Sequence, residues 1–121
     1  MIPKFRIFDK KKKRFLGDFT MEIDKFGIHV LDEFNYVVDE DDRVLMQATG
    51  LTDKNGKEIF EGDVVIARWW NIHGDHERVM LVEWNENELG WNLINKSSTN
   101  MNYEIIGNIH EHPGLLEEND E

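Results

Sequence analysis

The sequence predicts a mainly β protein, a small barrel or sandwich, and three observations predict it. Apolar residues recur at every second position rather than every third or fourth. Strand-length segments are separated by Gly, Asn and Asp clusters at a spacing of roughly 8–12 residues, which suits an all-β domain. No window carries the apolar stripe of a long amphipathic helix.

Phe5 and Ile7 alternate with Lys4 and Arg6, a half-exposed strand. Residues 9–13 (DKKKK) are its turn, and Phe15 and Leu16 begin a return strand that Gly17 and Asp18 break. Residues 26–31 (FGIHVL) and 34–38 (FNYVV) are rich in β-branched and aromatic side chains and read as two strands. The acidic run 39–42 (DEDD) is a loop, and 44–49 (VLMQAT) is a strand ending at Gly50. Asn55-Gly56, between polar shoulders, is the signal of a type I′ hairpin turn, in which both central residues need positive φ. Gly62 and Asp63 mark a second turn; Asp63 can accept backbone N–H groups in an Asx turn before the long strand 64–70 (VVIARWW). Residues 71–77 form a polar loop around Gly74, and 79–84 (VMLVEW) the next strand. Residues 85–89 turn at Gly90 into 91–94 (WNLI), a polar stretch covers 95–102, and 103–110 is the last strand. Pro113 ends it, since proline cannot donate to a ladder, and Pro113 with Leu115 and Leu116 suits one short helical turn.

The 121 residues suffice for one domain with a sizeable core. Four Trp and seven Phe are too many aromatics for an unfolded acidic chain. No apolar run reaches the roughly 18 residues of a membrane-spanning helix, and the start (MIPKFRIFDKKKK) lacks the apolar region of a secretory signal. A cytoplasmic protein is therefore expected. The absence of Cys excludes disulfides, zinc–thiolate sites, iron–sulfur clusters and cysteine nucleophiles.

Charge is unevenly placed. The first fourteen residues hold seven cations against Asp9, a charge of +6, so the formal net charge of −11 leaves −17 on the other 107 residues. Such a body repels phosphate at long range, and no affinity for duplex DNA is expected. Lys10, Lys11, Lys12, Lys13 and Arg14 are either a solvated hairpin tip or a local anion contact. Residues 117–121 read as an acidic tail.

Little chemistry is signalled. His73 and His76 flank Gly74-Asp75, and His110 and His112, at i and i+2, would share one face of a strand. Neither pair has further ligands in view, and no HExxH pattern exists. Carboxylate pairs such as Glu83 and Glu86 come with no sign of a cleft, Ser97 and Ser98 lie outside any GxSxG, and no glycine loop resembles a nucleotide site. No catalytic residue, metal or cofactor is assigned, and no enzyme is expected. The notable stock for binding is Trp69, Trp70, Trp84 and Trp91. Trp69 and Trp70 must face opposite sides of a regular strand, so one can enter the core while the other meets solvent, a neighbouring strand or a partner. Shielding loops or a bulge would remove that need.

Three blocks, in order, resemble the YopX family: residues 4–10 (KFRIFDK), 45–65 (LMQATGLTDKNGKEIFEGDVV) and 104–116 (EIIGNIHEHPGLL). Phe8 stands where the family usually has Trp, and Ala48 where it often has an aromatic; both read as packing changes. The resemblance implies a phage or prophage protein with a β-rich segment over 1–50, an SH3-like barrel over 51–112 and a tail over 113–121. It supplies no activity. Within the central block Gly50, Gly56 and Gly62 fall where the chain must reverse or kink, so the block reads as architecture. The expectation is a non-catalytic accessory module that forms homo-oligomers or binds a host protein through Trp69 or Trp70. The alternative is a nucleic-acid-related protein, acting through the basic hairpin or as an acidic mimic of duplex DNA.

Overall fold

The computed structural model describes residues 4–87, 89–93 and 101–117. The chain is mainly β, and its contacts divide it after Gln47 into two units. The first holds β1 (Phe5–Asp9), β2 (Arg14–Phe15), β3 (Thr20–Asp24), β4 (Gly27–Leu31), β5 (Val37–Val38) and the start of β6 (Arg43–Thr52). β1 pairs antiparallel with β2 (Phe8↔Phe15) and with β6 (Ile7↔Leu45). β3, β4 and β5 form a separate antiparallel sheet. Ile7, Leu16, Val30 and Val38 make its core, edged by Phe19, Met21 and Leu45. Phe8 is buried and meets the Phe15 ring edge-on at 5.1 Å.

Two sequence expectations fail here. β3 went unassigned, although Met21 and Ile23 alternate with polar neighbours in it. Conversely, residues 34–36 are turn rather than strand. The buried Asp32 carboxylate accepts the N–H groups of Phe34 and Tyr36 at 2.9 Å each, and Asn35 sits at φ 67°. A turn-forming aspartate thus overrides aromatic β propensity. The acidic run becomes a single 3-10 turn, Glu40–Asp42.

The second unit holds the end of β6, then β7 (Glu58–Phe60), β8 (Asp63–Asn71), β9 (Gly74–Leu81), β10 (Trp84–Asn85), β11 (Gly90–Trp91), β12 (Asn102–Asn108) and α1 (Gly114–Glu117). β8 lies between β12 and β9, all antiparallel. Ile59, Val65, Val82 and Leu93 form a second core with Met80, Trp91, Tyr103 and Ile105 around it. The expected loop 71–77 is only a two-residue turn, Ile72-His73, since residues 74–77 pair with β8. Their charges fit an exposed edge strand, which they protect from further pairing. The expected strand 79–84 is interrupted at Val82 and Glu83, between β9 and β10, although Val82 N–H still bonds to Asp63 O of β8 (2.8 Å).

The Asn55-Gly56 turn also differs from expectation. Gly56 has φ 83°, but Asn55 is not among the positive-φ residues, so the turn is not type I′. Gly56 N–H donates to Asp53 O at 3.0 Å and Asp53 N–H to Lys57 O at 2.7 Å, a type I turn closed by a left-handed glycine. The reason is Asp53. Its buried carboxylate accepts Asn55 and Lys57 N–H on Oδ1 (2.9 Å each) and Ile105 N–H on Oδ2 (3.2 Å). Gly50 (φ 82°) does not end β6; it sits in a register shift between Ala48 and Thr52. Gly62 (φ 87°) does make its turn. Asp63 accepts N–H from Phe60 (2.8 Å), three residues upstream.

The same device recurs: buried Asp9 accepts Lys11 and Lys12 N–H, and buried Asn108 accepts His110 and Glu111 N–H. Part of the acidic composition is therefore turn chemistry inside the fold.

Candidate functional site

β8 outruns the core it crosses. Val64, Val65 and Ala67 are buried, Arg68 and Trp69 half-buried, and Trp70 is 62% exposed. Alternation puts Trp69 on the side of Val65 and Ala67, and Trp70 on that of Ile66 and Arg68. Neither indole belongs to the core. Trp69 stacks on His76, its register partner on β9, with ring centroids 5.5 Å apart and planes 21° from parallel. Asn71 Oδ1 accepts His73 N–H (2.8 Å) and lies 3.0 Å from His76 Nε2, so the turn fixes the imidazole against the indole. Ile72 at the tip is 95% exposed. An open cleft of about 390 Å³ lies here, lined by Arg68, Trp69, Trp70, Asp75, His76 and Glu77.

The cation of this cleft is engaged. Arg68 Nη1 donates to Glu104 Oε1 at 2.7 Å, and its Nε lies 3.4 Å from Glu77. The bond from Arg68 holds the Glu104 carboxyl below the usual carboxylate range against the opposing effect of burial, with Lys54 nearby adding to it. The cleft therefore offers aromatic surface whose one arginine is outnumbered by Asp75 and Glu77, suited to apolar contact more than to capturing an anion.

The histidines do not converge. Among the described residues no group of three or more His, Asp or Glu is placed to hold a metal ion. His110 and His112 do not share a strand, since β12 ends at Asn108. His112 Nδ1 instead accepts Asn108 N–H at 3.3 Å and helps cap the turn. Ser97 and Ser98 lie outside the described residues, as do the last four residues of the acidic tail.

Lys10, Lys11, Lys12 and Lys13 are exposed at the β1–β2 turn. Arg14 is different: it forms a two-pronged ion pair with Glu33, whose carboxylate also accepts Gly17 N–H at 2.8 Å. Those bonds, Arg14 first, pull the Glu33 pKa down to about 2. Arg14 is thus committed within the first unit, and any anion contact rests on the four lysines.

Sequence reasoning missed a second apolar surface. Ile23, Phe26, Phe34, Tyr36 and Val37, all in the first unit, are each more than two-thirds exposed. Its signal lay mainly in residues 26–38, whose aromatic side chains suit exposed apolar surface as well as the strands they suggest.

Fold and site together define a small β-rich protein of two strand-built units that presents exposed aromatic surface on both. The chain belongs to the YopX protein family, whose profile matches residues 4–117. Protein EF1440 from Enterococcus faecalis, known from its crystal structure, is 28% identical with a TM-score of 0.61, over 96% of this chain and 99% of that one. Protein yopX from Bacillus subtilis shares the fold at 16% identity, with a TM-score of 0.60 over 92% of this chain and 95% of that one. No curated protein matches the chain significantly. Of the described helices, none is long and apolar enough to cross a membrane.

Proposed function

We propose that this protein is a non-catalytic, self-associating interaction module of phage or prophage origin, acting in the cytoplasm of a bacterial host. Its contact surface is the β8–β9 arm, with Trp70 and Ile72 at its centre. The observation that carries this reading is an indole 62% exposed beside an isoleucine 95% exposed, on an arm extending past its own core. A tryptophan can bury about 150–250 Å² at low entropic cost, which makes such a residue an anchor when a second copy or a host protein covers it. The antiparallel pairing of β8 with β9 and β12, with Ile59, Val65, Val82 and Leu93 in one core, supports reading residues 51–112 as an SH3-like barrel.

The net charge of −11 opposes association between copies. Light scattering at about 0.05 M and about 0.5 M salt separates the two forces, since the Debye length falls from roughly 14 to 4 Å. An assembly that persists or strengthens at high salt supports an apolar contact. One that dissolves there overturns it in favour of electrostatic pairing. In the same reading the four exposed lysines do not outweigh the acidic body. A gel shift at physiological salt is expected to show no binding of duplex DNA, and submicromolar, salt-sensitive binding would revive the nucleic-acid alternative.

A further inference from the structure

The β3–β4 hairpin also outruns its core. Its inner pair, Met21↔Val30, packs against Leu16 and Val38. The next pair on the same face, Ile23↔Ile28, does not: Ile23 is 72% and Ile28 37% exposed, and Phe26 at the turn is 81% exposed. Along β4 and β5 runs an open groove of about 740 Å³ whose apolar lining includes Phe26, Ile28, Val37 and Leu45. Its acidic lining is Asp39 and Glu40, both exposed, and Asp41 is exposed on the same 3-10 turn.

We propose that this groove binds a cationic amphipathic segment of another protein, apolar side chains on the floor and Lys or Arg against Asp39 and Glu40. Charge complementarity selects the occupant. The groove's own cation, Arg43, is spent on the fold: its guanidinium donates to Val38 O (3.0 Å) and Ile28 O (2.8 Å). Lys25 lies over the Phe26 ring at 5.2 Å, and His29 is bonded to Asp24 at 3.2 Å, so both are engaged at the hairpin. An acidic rim over an apolar floor repels anionic ligands and favours a basic one with an apolar face. A second copy fits poorly. Its cationic stretch, residues 10–13, has no apolar side chain to fill the floor, and Lys10 N–H is already bonded to Asp42 O of its own acidic run at 2.7 Å. The rest of a second copy would bring −17 to an acidic rim.

This inference stands on different residues from the Trp70 arm, and its test keeps them apart. A fluorescein-labelled synthetic amphipathic peptide of Leu and Lys is titrated with the full chain at about 0.15 M salt and followed by anisotropy. A Leu/Glu counterpart and a Lys-only peptide serve as comparisons. The expected result is saturable binding of the Leu/Lys peptide alone. Its affinity should fall about tenfold or more, roughly 1.4 kcal/mol, in Phe26→Ser/Val37→Ser and separately in Asp39→Lys/Glu40→Lys, and be unchanged in Trp70→Ala. These side chains are exposed, so far-UV circular dichroism is expected to remain that of the parent chain. No binding, equal binding of the Lys-only or Leu/Glu peptide, or insensitivity to both double variants overturns the proposal. A loss of native mass in Phe26→Ser/Val37→Ser also overturns it, because a second copy would then own the groove.

Discussion

Replacing Asp53 with alanine removes one carboxylate and strands three backbone donors at once. Asn55 and Lys57 N–H lie in an exposed turn, where water can replace Oδ1 at a net loss of about 1 kcal/mol each. Ile105 N–H, the donor to Oδ2, belongs to β12 and is half-buried; leaving it without a partner costs about 1–3 kcal/mol. The expected total is about 3–5 kcal/mol, at the high end for a point substitution. At about 4 °C per kcal/mol for a chain of this size, the melting temperature should fall by about 12–20 °C. Asp53→Asn keeps an acceptor for Asn55 and Lys57 but sets an amide NH2 against Ile105 N–H, so roughly half the loss is expected. Burial by itself would raise the Asp53 pKa, but the N–H groups of Lys57, Ile105 and Asn55 outweigh it and leave it lowered. A carboxyl depressed on folding stabilises fully above its unfolded pKa, near 4, and loses that contribution as pH falls through the folded value. Urea unfolding of the parent and Asp53→Asn should therefore converge in acid and diverge toward neutral pH. A loss below about 1 kcal/mol in Asp53→Ala, or a difference independent of pH, would refute this role for the carboxylate.

Three further predictions follow from the same geometry. Gly56→Val should destabilise by about 1–3 kcal/mol in urea melts through φ alone, because a Cβ at Gly56 (φ 83°) meets nothing within 4 Å; an unchanged melt would contradict it. Gly107→Val should cost about 1–3 kcal/mol for the opposite reason, since a Cβ there would lie 2.7 Å from both His112 Nδ1 and Leu115 Cδ1. Proteolysis should then cut near α1 sooner than in the parent chain, and equal resistance would count against that packing. Glu33, with its pKa held at about 2 by Arg14, should remain ionised in a carboxyl NMR titration until well below pH 4, and Arg14→Ala should return it toward about 4.3.

The β class was legible where apolar strands feed a core: residues 64–70 fall within β8, and 103–108 of the expected strand 103–110 fall within β12, which ends at Asn108. Turns were legible where glycine must take positive φ, at Gly56 and Gly62, whereas Gly50 takes positive φ inside β6. The type of the Asn55-Gly56 turn was not legible, because it rests on the Asp53 carboxylate, which accepts Asn55 and Lys57 N–H while bonded to Ile105 N–H, 52 residues away. Residues 34–36 were misread for a related reason: Asp32 recruits their N–H groups, and a single sequence does not show which aspartates are buried. The first half of β9, residues 74–77, hid behind its charges, since an exposed edge strand reads like a loop. Of the site, the opposite facing of Trp69 and Trp70 could be read from strand alternation. Which of them stays outside could not, because it depends on His76 reaching back from β9 to cover Trp69.

Self-association through the Trp70 arm is the central claim, and sedimentation velocity of the full chain at micromolar concentration tests it most directly. A species of at least twice the 14.3 kDa chain mass, returned to monomer by Trp70→Ala with the fold intact, is the predicted result. A monomer of 14.3 kDa unmoved by Trp70→Ala or Trp69→Ala would contradict it, and the exposed indole would then belong to an outside partner.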